Sequence, residues 1–206
     1  MKRGGTFTLR LEGDAGTGKS HLAAYLAGRA EAQGITVFFG ASQNTQQAAY
    51  AALRGPVLGL LGLGDSPAED AGVHDAQLEA ALVAVDPAWR VRLPLLGDLF
   101  GISIPENATT AAFEPRLRRE ALANLVVDLA QRVAMTRPLL LLLEDIHWAD
   151  EASQGILLAL ARTQSMAPLL LLLVHRPPAG GEAGFLAELA ALPRQSALRL
   201  GELDAG

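Results

Sequence analysis

Residues Gly13-Asp14-Ala15-Gly16-Thr17-Gly18-Lys19-Ser20 fit the pattern G-x-x-x-x-G-K-[ST] at every fixed position, and no other segment constrains the fold as tightly. A polyphosphate has to be wrapped by backbone N–H groups, and a glycine-rich turn can aim them inward. Side chains at Gly13, Gly16 and Gly18 would crowd such a ligand. Lys19 supplies a point charge for the β- and γ-phosphates, Ser20 a hydroxyl for Mg²⁺, and the helix beginning there, with His21 in its first turn, its positive dipole end. The pattern therefore demands a strand before it and a helix after it. Both are present: Thr6-Phe7-Thr8-Leu9-Arg10-Leu11 alternates and ends at Gly13, and Leu22, Leu26 and Ala30 recur at helical spacing before Gly34. A coincidental match in a chain with 21 Gly is expected in roughly one sequence of this length in a hundred.

Composition removes several classes of function. At 206 residues, half of them hydrophobic, the chain can bury one ordinary core. A net charge of -5 and a pI near 5.4 give no basic footprint, so no direct contact with nucleic acid is expected from this segment. There is no Cys, and the four His, at 21, 74, 147 and 175, lack the spacing of a metal site. The runs Leu139 to Leu143 and Leu169 to Val174 fall far short of the ~20 apolar residues needed to span a bilayer. With no signal peptide after Lys2 and Arg3, a cytoplasmic location and no membrane partner are expected.

A second strand is read at Ile35 to Phe39, closed by Gly40. From Ala41 to about Ala112 the pattern reads as an insertion: helical pieces at Ala48 to Leu53 and Ala76 to Val85, broken by Gly55-Pro56 and by the Gly/Asp/Pro-rich stretch from Gly62 to Gly72. A long amphipathic helix follows over Glu114 to Met135, with Leu117, Ala121, Leu125, Leu129 and Val133 on one face. The two leucine runs, bounded by Pro138 and Pro168, read as strands covered on both sides. Helices are expected at Glu151 to Thr163 and Phe185 to Leu192, with a last strand at Ala197 to Leu200. Five strands interleaved with helices make a three-layer α/β domain whose ligands bind at the carboxyl ends of the strands.

Glu144-Asp145 directly follows the Leu139 to Leu143 strand, placing two carboxylates at that same edge. We assign Glu144 to Mg²⁺ and Asp145 to the attacking water; sequence alone leaves the reverse open, as it does a plain preference of helix N-termini for acids. Residues 144 to 150, Glu-Asp-Ile-His-Trp-Ala-Asp, resemble the extended Walker B segment of the signal-transducing STAND ATPases, in particular the Orc1-like AAA ATPase domain of large LuxR-type regulators and cyclase-associated proteins. Arg3-Gly4-Gly5, Tyr50-Ala51-Ala52-Leu53 and Leu172-Leu173-Val174-His175-Arg176 carry the same resemblance. It implies a parallel sheet in the order 5-1-4-3-2, ATP and Mg²⁺ as ligands, and slow hydrolysis that times a switch.

The resemblance also makes Arg176 the arginine that reads the γ-phosphate, against the plainer view of an exposed base before Pro177-Pro178. His147 and Trp148 belong to the signature but are expected to pack, and Asp150 to cap the helix at Glu151. Arg116, Arg118 and Arg119 read as a charged helix face before they read as a finger for a neighbouring subunit. Residues 1–206 are taken as a P-loop AAA/STAND core lacking an upstream base-binding segment and a C-terminal lid and winged helix. The expected function is an ATP-binding, slowly hydrolysing switch that engages regulatory or effector domains, with nucleotide-dependent oligomers allowed. A non-catalytic nucleotide-binding scaffold is the alternative, and a small-molecule kinase ranks below both.

Overall fold

The structure is a computed structural model that describes residues 5–43, 48–64, 74–177 and 184–201. Strand β1 (Phe7–Gly13) runs into the glycine-rich loop and helix α1 (Lys19–Glu31), and β2 (Thr36–Ala41) follows after a turn at Gly34, whose φ is +75°. Helices α2 (Ala51–Leu60), α3 (Asp75–Val85) and α4 (Leu93–Phe100), with a 3-10 turn at Pro87–Arg92, precede the long α5 (Pro115–Thr136). The chain continues through β3 (Leu139–Glu144), α6 (Glu151–Arg162), β4 (Leu169–His175), α7 (Phe185–Ala190) and β5 (Gln195–Leu200).

All the strand pairs are parallel, and the sheet order is β2-β3-β4-β1-β5, the expected 5-1-4-3-2 read from the other edge. The leucine runs take two of the three inner positions, where both faces are covered: Leu139, Leu143, Leu169, Leu171 and Leu173 are fully buried. One face, carrying Leu11, Leu140, Leu142, Leu172 and Val174, packs on α1. The other, carrying Leu139, Leu141, Leu143, Leu169, Leu171 and Leu173, meets the larger core built by α2, α4, α5, α6 and α7. Strict alternation along each strand thus feeds two cores and makes the three layers.

The region after β2 departs from the sequence reading. Gly55-Pro56 does not break the chain; both lie inside α2. Proline lacks an N–H, so the Ala52 carbonyl four residues earlier loses its helical partner. That carbonyl instead faces the bare Cα of Gly40 on β2, where a Cβ would collide with it. Gly59, one turn further on, leaves room for the Phe38 ring. The two glycines let α2 settle on the sheet closely enough to offset the missing hydrogen bond, and Leu53, Val57 and Leu58 are buried. What read as loops is largely helix, with Leu78, Leu82, Leu96 and Leu99 fully enclosed. Part of the Gly62 to Gly72 stretch, and Arg3-Gly4, lie outside the described residues.

Smaller corrections concern boundaries. The last strand begins two residues earlier than the apolar pattern at 197–200, because its backbone already pairs with Thr8 at Gln195. On α5 the buried stripe runs through Leu122, Leu125, Val126 and Leu129, while Leu117 in the first turn stays 49% exposed beside the arginines.

Candidate functional site

Because β4 lies between β1 and β3, the loop after β1 and the acids after β3 flank the end of β4 at the carboxyl edge of the sheet. In the loop, Gly16 and Gly18 have φ of +82° and +81°, the left-handed region that side chains resist. A Cβ at either would meet no protein atom within 4 Å, so backbone conformation is what demands glycine there. Gly13 differs: a Cβ would lie 2.7 Å from Thr17 Oγ1 and 2.9 Å from the Leu200 carbonyl oxygen. Crowding at that position comes from the protein itself rather than from a ligand.

Gly18 caps α1 without a side-chain hydrogen bond, so the first-turn N–H groups, including those of Ser20 and His21, keep their donor capacity for an anion. Thr17 Oγ1 donates to the Asp14 carbonyl at 2.9 Å. Lys19, only 8% exposed, donates from Nζ to the same carbonyl at 2.6 Å. Ala15 sits between them in the exposed loop.

Across β4, the Ser20 hydroxyl lies close enough to the Glu144 carboxylate to lower its pKa, bringing the two halves of the expected metal site together. Burial raises the Glu144 pKa and Asp145 adds to this, while the nearby Ser20 hydroxyl and the Lys19 charge oppose it. One carboxylate beside one hydroxyl is a hard-oxygen donor set of the kind that suits Mg²⁺ shared with phosphate oxygens and water. Asp145 has a φ of 53°, its side chain is 48% exposed, and its carbonyl accepts from Trp148 N–H at 2.8 Å. A left-handed aspartate at a strand end is a sparsely populated conformation that the surrounding chain must enforce.

His147 packs as expected, whereas Trp148, expected to pack as well, is 44% exposed. The His147 Nδ1 lies 3.9 Å from Asp145 Oδ1. Both ring nitrogens are buried, and neither has a hydrogen-bond partner among the described residues. Burial lowers its pKa; Asp145 pulls the other way, and Arg176, His175 and Lys19 reinforce the lowering. Arg176 itself is exposed at the end of β4, within electrostatic reach of His147. His175 is fully buried beside Glu12, its cross-strand neighbour, and donates from Nδ1 to the Arg176 carbonyl at 2.9 Å.

Asp150 caps α6 as expected, accepting from Ser153 N–H at 2.9 Å and Ser153 Oγ at 2.6 Å. Its carboxylate also accepts from the Tyr50 N–H at 3.1 Å, tying α2 to the acidic segment, a contact 100 residues apart in sequence. The three arginines of α5 lie elsewhere. Arg118 makes a forked pair with Asp98 and reaches Glu106, Arg116 pairs with Glu120, and Arg119 lines a groove of about 650 Å³ between α5 and α6 that holds no phosphate-loop residue. No described helix is long and apolar enough to cross a membrane.

A family model described as "AAA ATPase domain" matches residues 2–173, which includes the loop, the Glu144 to Asp150 segment and most of β4 but stops short of Arg176. No curated protein matches the chain. Among solved structures, a chain of Drosophila ORC bound to GC-rich DNA and Cdc6 superimposes with a TM-score of 0.41 and 11% identity, over 96% of this chain. The present chain spans 50% of that one's length.

Proposed function

This chain belongs to the AAA ATPase domain family, and from that premise we propose that it is a Mg-ATP-binding, slowly hydrolysing switch of the STAND type, acting in the cytoplasm on regulatory or effector domains. The observation that carries this reading is the closeness of the Ser20 hydroxyl to the Glu144 carboxylate, which brings the phosphate loop to the acidic strand end. In this assignment the N–H groups of Gly16 to His21 and the Lys19 ammonium hold the phosphates, and Ser20 with Glu144 holds the cation. Mg²⁺ supplies charge neutralisation between the β- and γ-phosphates. Asp145 orients the water, and Arg176 meets charge that spreads over the transferring phosphoryl group.

Lys19 would leave the Asp14 carbonyl for the phosphates, since an ion pair with a polyanion outweighs one hydrogen bond to a neutral acceptor. Titration calorimetry with Mg-ATP, combined with phosphate release by the native chain, Lys19→Ala and Asp145→Asn, tests the reading. Binding that Lys19→Ala weakens by about 10- to 100-fold, with turnover that Asp145→Asn abolishes, supports it. No binding by the native chain would end it. The exposure of Arg176 favours a second reading, a module that binds nucleotide without turnover; equal release rates for the native chain and Asp145→Asn would select that one.

A further inference from the structure

We propose that Asp150 is a positioning residue for Asp145, fixing how that acid leaves the sheet by tying the end of the acidic segment to the start of α2. The inference rests on the hydrolysis reading above and deepens it by naming what holds the water-orienting carboxylate in place.

Strands β3 and β4 are parallel neighbours, so the chain must reverse between Glu144, the last residue of β3, and Glu151, the first of α6. It does so with a left-handed residue at Asp145, φ 53°, followed by a 3-10 turn at Ile146–Trp148. Trp148 N–H donates to the Asp145 carbonyl at 2.8 Å, and Ala149 N–H to the Ile146 carbonyl at 3.1 Å. Ile146 is fully buried, and the Ala149 carbonyl accepts from Gln154 Nε2 at 2.8 Å. A non-glycine residue keeps such a backbone only where its surroundings over-determine it. Here the sheet fixes one end of the turn and Asp150 fixes the other.

Asp150 makes more bonds than a helix cap requires. Its Oδ1 accepts from Ser153 N–H at 2.9 Å, which by itself completes the cap of α6. Its Oδ2 accepts from Ser153 Oγ at 2.6 Å and from Tyr50 N–H at 3.1 Å. Tyr50 is also left-handed, with φ of 62°, although the residue that caps a helix start is ordinarily extended. Among the described residues, Tyr50 and Asp145 are the two non-glycine residues with positive φ, and this one carboxylate joins the turns that hold them. Tyr50 and Ser153 are both buried, so water competes little for the link. Asp145 directly follows Glu144, whose carboxyl group responds to the Ser20 hydroxyl and the Lys19 charge. A shift of the turn therefore reaches the phosphate site through one peptide unit.

The test compares the native chain with Asp150→Asn and Ser153→Ala. The asparagine keeps an oxygen for the Ser153 N–H and an amide that Ser153 Oγ accepts from, but sets an NH₂ against the Tyr50 N–H, donor facing donor. Ser153→Ala removes one hydrogen bond to the same carboxylate and leaves both the Tyr50 bond and the cap. Single-turnover hydrolysis is measured with Tm, with affinity for Mg-ADP, and with affinity for Mg-ADP plus aluminium fluoride, which mimics the transferring phosphoryl group. Asp150→Asn should lose on the order of 10²-fold in rate and a similar factor in aluminium-fluoride complex affinity, with Mg-ADP affinity unchanged. Ser153→Ala should lower Tm and turn over at the native rate. An asparagine variant that turns over at the native rate overturns the inference and leaves the ATPase reading intact. Rate losses that follow the fall in Tm in both variants, or a loss of Mg-ADP affinity equal to the loss of rate, also overturn it, since they mark a structural role alone. A native chain that binds Mg-ATP without any turnover defeats the hydrolysis reading and this inference together.

Discussion

The helical layer after β2 and the carboxyl edge of the sheet are built from similar residues, yet their polar groups meet different ends. In the helical layer the charges are answered within the chain: Arg92 pairs with Asp128, Arg132 with Asp86, Arg90 with Glu79, and Arg118 with Asp98 and Glu106. At the sheet edge, Ser42 Oγ and both nitrogens of His147 are buried without hydrogen-bond partners among the described residues, and Asp145 holds a strained φ. Buried polar atoms cost free energy unless paired, so a fold that satisfies them in one layer and leaves them open in another is shaped for a ligand in the second. A groove of about 650 Å³ lies between α5 and α6, away from the phosphate loop.

Substitutions in the two regions should separate affinity from stability. Lys19→Ala is expected to weaken Mg-ATP binding by about 10- to 100-fold, the value of a charged hydrogen bond, while its Tm stays within a degree or so of the native chain; calorimetry and thermal melts read both. Gly40→Ala should do the opposite. It drives a methyl into the Ala52 carbonyl and should cost about 1–3 kcal/mol in urea unfolding, leaving the affinity of the folded fraction untouched.

Arg118→Ala is expected to cost ~1–2 kcal/mol, again without changing affinity. It carries a pH signature as well. Hydrogen bonding to Arg118 holds Glu106 below its usual 4.5, so that part of the stability is present above this value and is lost as pH falls through the lowered one. Stability of the variant should therefore fall less steeply in acid than that of the native chain.

The smallest effect is expected at Glu144. Burial first, and Asp145 after it, raise its pKa above 4.5, so the folded state favours the proton and stability declines as pH climbs through that interval. Glu144→Gln should flatten this decline and slightly raise the Tm of the nucleotide-free chain at neutral pH, while abolishing any extra stabilisation by Mg²⁺ over ATP alone.

The sequence made the phosphate loop, the two leucine strands and the acids after β3 plain, because each rests on local chemistry: glycine conformation, continuous apolar runs, adjacent carboxylates. The sheet order came from family resemblance rather than from any pattern in the residues, and the structure agrees with it. Helix α2 was hidden since Gly55-Pro56 is a breaker by every local criterion, and only Gly40 on a strand far away in the fold makes it tolerable. The bond from Tyr50 to Asp150 was invisible for the same reason. His147 was legible as part of a signature, but the burial that leaves its nitrogens open depends on how β4 and the 144–150 segment pack, which spacing does not encode.

Amide hydrogen exchange with and without Mg-ATP tests the contrast between the two regions most directly, because it reads both in one sample. The account predicts new protection over residues 13–21, 144–148 and 175–176, with residues 86–136 exchanging at unchanged rates. Protection centred instead on the groove between α5 and α6, or none at the phosphate loop under saturating Mg-ATP, would contradict it.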